Sequence, residues 1–195
     1  MTKRFFDFTF SLFGLMFLLP LFIIVWFLIK IKMPDGSPFF IQERVGENAR
    51  LFKIYKFRSM SVEHSGGNIS VAGEARITKL GAVLRKYKID ELPALWNVVK
   101  GEMSLVGPRP DVPGYADKLK GDDRLTLTLK PGITGPASIK YSNEEEILAK
   151  EENPVKYNNE VIYPDKVKIN LDYYYNRSFF GDIKIIINTV LRTNY

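Results

Sequence analysis

Two adjacent carboxylates, Asp90 and Glu91, open the stretch Asp90-Glu91-Leu92-Pro93, and cations stand on both sides of them in the chain. These are Lys56 and Arg58 in KFRSM, then Arg76 and Arg85, and Arg109 held between Pro108 and Pro110. Proline on either side restricts the backbone around Arg109 and pre-positions a guanidinium able to grip phosphate with two N–H groups. Carboxylates in an anion-binding protein imply a divalent cation between them and the ligand. Magnesium, which takes one or two carboxylates together with substrate phosphates, fits that role. Successive helical residues point about 100° apart, from ~3.6 residues per turn, so one carboxylate can attack while the other holds metal. The structural alternative is that Asp90 caps a helix and Glu91 complements its dipole.

Other chemistries are excluded by composition. The chain has no cysteine, which removes thiolate metal sites, thiol nucleophiles and disulfides, and a single histidine removes any multi-histidine metal site. That histidine, His64, sits in the Gly- and Ser-rich stretch 63–74 with no neighbouring ligand and is read as solvated in a mobile loop. Neither a phosphate-binding P-loop nor a GxGxxG fingerprint occurs. The net charge is +6, and residues 1–140 hold 21 basic against 13 acidic side chains while residues 141–195 hold 7 against 9. An anionic partner therefore meets the first part of the chain.

With 195 residues, 46% of them hydrophobic and 13% aromatic, the chain suits one globular domain plus an accessory segment and is not disordered. The accessory segment is Phe8–Ile29, which carries no charge. As a helix it is ~33 Å long, against a hydrocarbon core of ~30 Å. It lacks the short apolar region and small-residue cleavage site of a signal peptide, so it is expected to be retained. Lys3 and Arg4 before it and Lys30 and Lys32 after it nearly balance. Pro20 removes a backbone donor and clashes with the carbonyl of Met16, which predicts a kink. On these grounds a re-entrant hairpin and a kinked spanning anchor are equally open.

Residues 33–60 read as turns and short strands, a small sheet or hairpin. Leu80, Val83, Leu84 and Tyr87 among Lys79, Arg85, Lys86 and Lys88 describe a basic amphipathic helix, lying on a membrane surface or facing the core. Leu92, Leu95, Trp96 and Val99 form the stripe of the next helix, which ends at Gly101. GEMSLVGPRPDVP is extended, and Glu144–Glu152 reads as a solvated acidic helix face. A helix opened by Pro164-Asp165 carries Val167, Leu171 and Tyr174, and another carries Ile183, Ile186, Ile187 and Val190. The Tyr173-Tyr174-Tyr175 and Phe179-Phe180 clusters read as core or interfacial packing. The fold class is a compact, helix-rich α+β domain with a small sheet and amphipathic interfacial helices.

The run RITKLGAVLRKYKIDELPALWNVVKGEMSLVGPRP at 76–110 closely resembles the core signature of bacterial sugar transferases of the monotopic phosphoglycosyl transferase family. So do KFRSM at 56–60, LKPGITGPA at 129–137, LDYYYNRSFFGDIKIIINT at 171–189 and the N-terminal KRFFDF with one apolar segment. The resemblance implies an enzyme at the cytoplasmic face of a bacterial inner membrane that moves a sugar-1-phosphate from a UDP-sugar to polyprenyl (undecaprenyl) phosphate and releases UMP, the first membrane step of glycoconjugate assembly. It implies that Asp90 attacks the sugar-linked phosphate to form a covalent intermediate, and that Glu91, with Asp90, is associated with magnesium. It implies phosphate binding by Arg109 in its Pro108/Pro110 frame and by Lys56, Arg58 and Arg85, and it matches Asp172 to a late acidic position grouped with the metal. It also implies a re-entrant helix–break–helix at Pro20 over residues 1–32 and a catalytic domain over 33–195, in contact with membrane lipid. Two departures stand out: Leu19 precedes the membrane proline where many relatives have Ser, and Ser138-Ile139-Lys140-Tyr141 follows TGPA where many continue with Gln and a polar turn.

Two rival readings use the same residues. A metal-dependent phosphatase or pyrophosphatase of lipid-linked substrates would take water as acceptor. A membrane-tethered binding module for nucleic acid or another anion would account for charge and aromatics, but no nucleic-acid signature is present and acidic side chains interrupt the basic stretches. The sugar, the final glycan and the oligomeric state stay open at this level.

Overall fold

The uncharged N-terminal run dictates the first element. In the computed structural model, which describes residues 2–62 and 76–192, α1 (Thr2–Lys32) is one helix of 31 residues with Pro20 inside it. α1 stays helical through Pro20, and the break expected there is not shown. The loop expected at 63–74, with His64, lies outside the described residues. Among the described residues α1 alone is long and apolar enough to cross a membrane, and only 11% of its most apolar window is buried by the protein. Phe13, Met16 and Phe17 are exposed. So much uncovered apolar surface associates the chain with a membrane.

Both ends of α1 rest on the remainder of the chain. Near its start, Lys3 pairs with Asp182, Arg4 Nη2 donates to the Val99 carbonyl at 2.8 Å, and Ser104 Oγ donates to Asp7 Oδ2 at 2.7 Å. Near its end, Val25, Ile29 and Met33 form one apolar cluster with Phe57 and Leu84.

The aromatic, partly alternating stretch after the PDGSP turn forms the expected hairpin. Strands β1 (Phe39–Val45) and β2 (Leu51–Phe57) pair antiparallel, from Phe39 opposite Phe57 to Val45 opposite Leu51. Helix α2 (Lys79–Lys86) begins at Thr78, whose side chain accepts from the Gly81 N–H. Its stripe splits: Leu84 is buried against the α1 cluster, whereas Val83 and Tyr87 are exposed. A 3-10 segment at Ile89–Ala94 leads into α3 (Leu95–Lys100), which ends at Gly101 in the left-handed region at φ 86°. The expected stripe is rotated. Ala94, Asn97 and Val98 are buried while Trp96 is exposed, because the 3-10 start turns three residues per turn instead of 3.6 and shifts the phase of everything after it.

Strands β3 (Ser104–Val106) and β4 (Gly132–Thr134) pair in parallel. Their glycines are required by close approach: a Cβ on Gly132 would sit 2.1 Å from the Gly107 nitrogen, and one on Gly107 2.3 Å from the Lys130 carbonyl. This contact between VGPRP and PGITG fixes the chain just before Arg109. From Pro136 onward the described chain is mostly helical: α4 (Pro136–Lys140), α5 (Glu144–Leu148), α6 (Pro154–Tyr157), a π-helical turn at Asn158–Ile162, α7 (Tyr163–Asn176) and α8 (Phe179–Leu191). On α8, Ile185 is buried but Ile187 and Val190 face outward with Phe180. Among the described residues, helices and two small two-stranded sheets make a helix-rich α+β arrangement.

Candidate active site

The carboxylate pair is placed by an abrupt turn. Lys88, between α2 and the 3-10 segment, takes φ 56°, so Asp90 and Glu91 turn toward β2, which packs on that segment. Asn97, buried on α3, fixes β2 there. Its amide donates to the Lys53 carbonyl at 2.7 Å and its Oδ1 accepts from the Tyr55 N–H at 3.1 Å. Lys56 on that strand then reaches Glu91, Nζ to Oε1 at 2.7 Å. Arg109 comes from the other side, with Nη1 at 3.2 Å from Glu91 Oε2 and Nη2 on Oε1. Arg44 on β1 steadies the Pro-Arg-Pro turn by donating to the Pro110 carbonyl at 3.2 Å.

Burial alone would raise the Glu91 carboxyl, but Arg109 and Lys56 overcome it and hold the group well below the usual range. Burial lowers Lys56 despite its pairing with Glu91, and burial beside Arg109 lowers Arg44 to about 10. Asp90 behaves in the opposite way. Burial, then the Glu91 charge, raises its carboxyl, against the pull of Lys56, Arg85 and Lys88. It is 6% exposed and its Oδ1 has no hydrogen-bond partner. It makes no capping bond, since the 3-10 segment begins at Lys88 without a side-chain cap. The capping alternative for Asp90 is therefore not observed.

Beside this cluster opens a cavity of about 1270 Å³. Glu91, Arg85, Lys88, Pro108 and Arg109 line it. Lys56 and Pro110 border a smaller adjoining recess with Glu91 and Arg109; Asp90, the chain neighbour of Glu91, is in neither lining. Helix α5 is not merely a solvated acidic face: Glu145 pairs with Arg85 and Glu144 with Lys166, the latter at 2.6 Å, and all four line the cavity.

Three candidates are not brought to this cluster. Arg58 is buried and donates to the Met33 carbonyl at the end of α1. Arg76 is outside the cavity lining, and its carbonyl accepts from the Ser61 N–H at 2.9 Å. Asp172 is exposed on α7 and accepts from Asn176 at 2.8 Å. No group of three or more His, Asp or Glu able to hold a metal occurs among the described residues. Asp90 and Glu91 still fit magnesium, because a neighbouring pair with one unpartnered buried oxygen suits a cation completed by phosphate oxygens and water. The sequence reading missed Arg44, Asn97, Lys88, Asp111 and the face of α7 that carries Tyr163, Lys166 and Asn170. The last had a signal, since spacings of three and four put those residues beside Val167.

The chain belongs to the bacterial sugar transferase family, whose model matches residues 1–194. It is 37% identical over 202 residues to the galactosyl transferase CpsE of Streptococcus agalactiae, covering 96% of this chain and 41% of that protein. It is 35% identical over 178 residues to the UDP-N-acetylgalactosamine-undecaprenyl-phosphate N-acetylgalactosaminephosphotransferase of Aeromonas hydrophila, covering 88% of this chain and 38% of that one. A third relative, the uncharacterized sugar transferase EpsL of Bacillus subtilis, is 36% identical over 189 residues, covering 96% and 85% respectively. The chain thus spans about two fifths of the first two relatives and most of the third.

Proposed function

We propose that the chain is a phosphoglycosyl transferase that moves a sugar-1-phosphate from a UDP-sugar to undecaprenyl phosphate and releases UMP. The family and the name of the Aeromonas relative support this reading. The observation that carries it is Asp90, a buried carboxylate with an unpartnered oxygen beside Glu91, Lys56 and Arg109. An Asp90 oxygen attacks the sugar-bearing phosphorus. The bond from that phosphorus to the bridging oxygen breaks, and UMP leaves with that oxygen and its electron pair. An oxygen of the lipid phosphate then attacks the same phosphorus, and Asp90 departs as a carboxylate. Arg109 and Arg85 exchange Glu91 and Glu145 for phosphate oxygens, which stabilises charge as it builds. Asp90 and Glu91 would hold magnesium, which would supply further charge neutralisation at the phosphates.

The same reading places the protein at the cytoplasmic face of the bacterial inner membrane with α1 entering and leaving one side. Lys3, Arg4 and Asp7 at one end and Val25, Ile29 and Met33 at the other all contact the remaining chain. A straight spanning helix would hold its ends on opposite sides of a hydrocarbon core of ~30 Å. Both ends meet one domain on one side only if α1 bends at Pro20. Because the chain has no cysteine, single cysteines at residue 2 and in the domain report topology cleanly. Both are expected to resist an impermeant thiol reagent in intact spheroplasts and to react after lysis; labelling of residue 2 alone in intact cells means a span. For the activity, purified protein with magnesium, undecaprenyl phosphate and a panel of UDP-sugars is expected to release UMP and yield an organic-extractable sugar. Free phosphate or free sugar without a lipid product would instead mean a hydrolase.

A further inference from the structure

The cavity lining beyond the Glu91 cluster carries polar atoms that the fold leaves without partners. Ser138 Oγ on α4 and Asn170 Oδ1 on α7 are buried and make no hydrogen bond, and both residues line the cavity. Helices α4 and α7 pack together. Tyr163, Lys166, Val167 and Asn170 recur at helical spacing and all line the cavity, so this is one face of α7. Asp111 lies beside the Tyr163 ring hydroxyl, and Glu144 accepts from Lys166. A buried hydroxyl or amide without a partner is costly, and a ligand that supplies the missing bond recovers that cost.

The chemistry of this wall selects among parts of a nucleotide sugar. Two carboxylates, an amide oxygen and two hydroxyls make it rich in acceptors. A hexose offers several O–H donors, whereas uracil offers two carbonyls and one N–H. Asp111 follows Arg109 by two residues, a reach of about 7 Å at most, so a group attached to a phosphate held by Arg109 comes to this wall. Ser138 also opens the segment after TGPA, where this chain departs from many relatives.

We propose that Asp111, Ser138, Tyr163 and Asn170 form the subsite for the hexose of the donor and set which UDP-sugar is used. The proposal rests on the transferase reading above and refines it.

The test uses the full chain in detergent with magnesium, undecaprenyl phosphate and UDP-glucose, UDP-galactose, UDP-N-acetylglucosamine and UDP-N-acetylgalactosamine. In Ser138→Ala and Asn170→Ala, the ratio of kcat/KM between the best and next donor is expected to shift about tenfold, mainly through KM. Inhibition by UDP, which lacks the hexose, is expected to stay within about twofold. Thermal midpoints should not fall, since neither atom has a bond to lose, and Ser138→Thr and Asn170→Ser provide milder readings of the same ratio. Equal loss across all donors, or UDP inhibition weakened as much as donor use, overturns the proposal, the latter in favour of a uridine site. An unchanged ratio in all four variants overturns it too. If the unmutated protein turns over no donor, the transferase reading fails, and the subsite is judged by equilibrium binding of the same UDP-sugars against UDP.

Discussion

Asp182 and Asp90 are almost equally buried, 5% and 6% exposed, yet their surroundings differ in kind. Asp182, beneath the start of α1, accepts from the Tyr173 hydroxyl at 2.6 Å and pairs with Lys3. Asp7 next to it accepts from Ser104 and from the Leu105 N–H. Apart from the Ser11 hydroxyl, which has no partner, the polar groups of this junction answer one another and fasten the apolar helix to the domain. At the cavity, Glu91 is fully engaged while Asp90, Ser138 and Asn170 each keep an unanswered atom. Burial alone therefore does not separate the two carboxylates. The unpartnered oxygen of Asp90 does, and it makes Asp90 the candidate nucleophile.

The sharpest way to break this contrast is paired substitution. Asp90→Asn is expected to lower turnover by about a thousandfold or more, since an amide is no anionic nucleophile. Its stability should hold, because no cap or ion pair is lost. Arg109→Lys is expected to cost roughly tenfold to a hundredfold in kcat/KM, as the ammonium keeps the charge but not the fork. Asp182→Ala should do the reverse of Asp90→Asn, losing about 2 kcal/mol in urea unfolding, with turnover per folded molecule little changed. Equal loss of stability in the two aspartate variants would erase the distinction.

The smallest effect concerns Asp111, whose carboxyl burial raises to about 6, against the pull of Lys166, Arg44 and Arg109. Between its ordinary value near 3.8 and about 6, the folded protein holds a proton that the unfolded chain has released. The stability this proton confers is complete below that window and is lost as pH rises through it. Asp111→Asn should flatten the loss and raise stability at pH 7 by roughly 1 kcal/mol, discounted for partial exposure. Unfolding measured at pH 4, 5, 6 and 7 checks it, and an unchanged pH slope would mean that Asp111 is solvated.

Local signals were readable in the sequence where local physics decides the outcome. The hairpin, the Thr78-capped α2, the Gly101 helix end and the helix opened by Pro164-Asp165 all follow from turn chemistry and periodicity, and the Asp90-Glu91 pair and Arg109 do meet in space. What was not readable depends on direction after a strand ends. Lys56 and Arg58 share parity, but β2 stops at Phe57 and Arg58 turns to the Met33 carbonyl instead of joining Glu91. The 3-10 start of the Asp90 segment shifted the α3 stripe, which no count at 3.6 residues per turn could detect. The wall bearing Ser138, Asn170 and Asp111 needs three distant segments to fold together.

The central claim is that Asp90 is the nucleophile, and it is tested most directly by omitting the acceptor. Protein incubated with a UDP-sugar that it turns over, without undecaprenyl phosphate, should release up to one UMP per molecule. Intact-mass and peptide analysis should then locate one added phospho-sugar on Asp90, discharged when the lipid phosphate is supplied. Efficient transfer with no UMP released before the lipid is added, or an adduct on any other residue, would contradict the account.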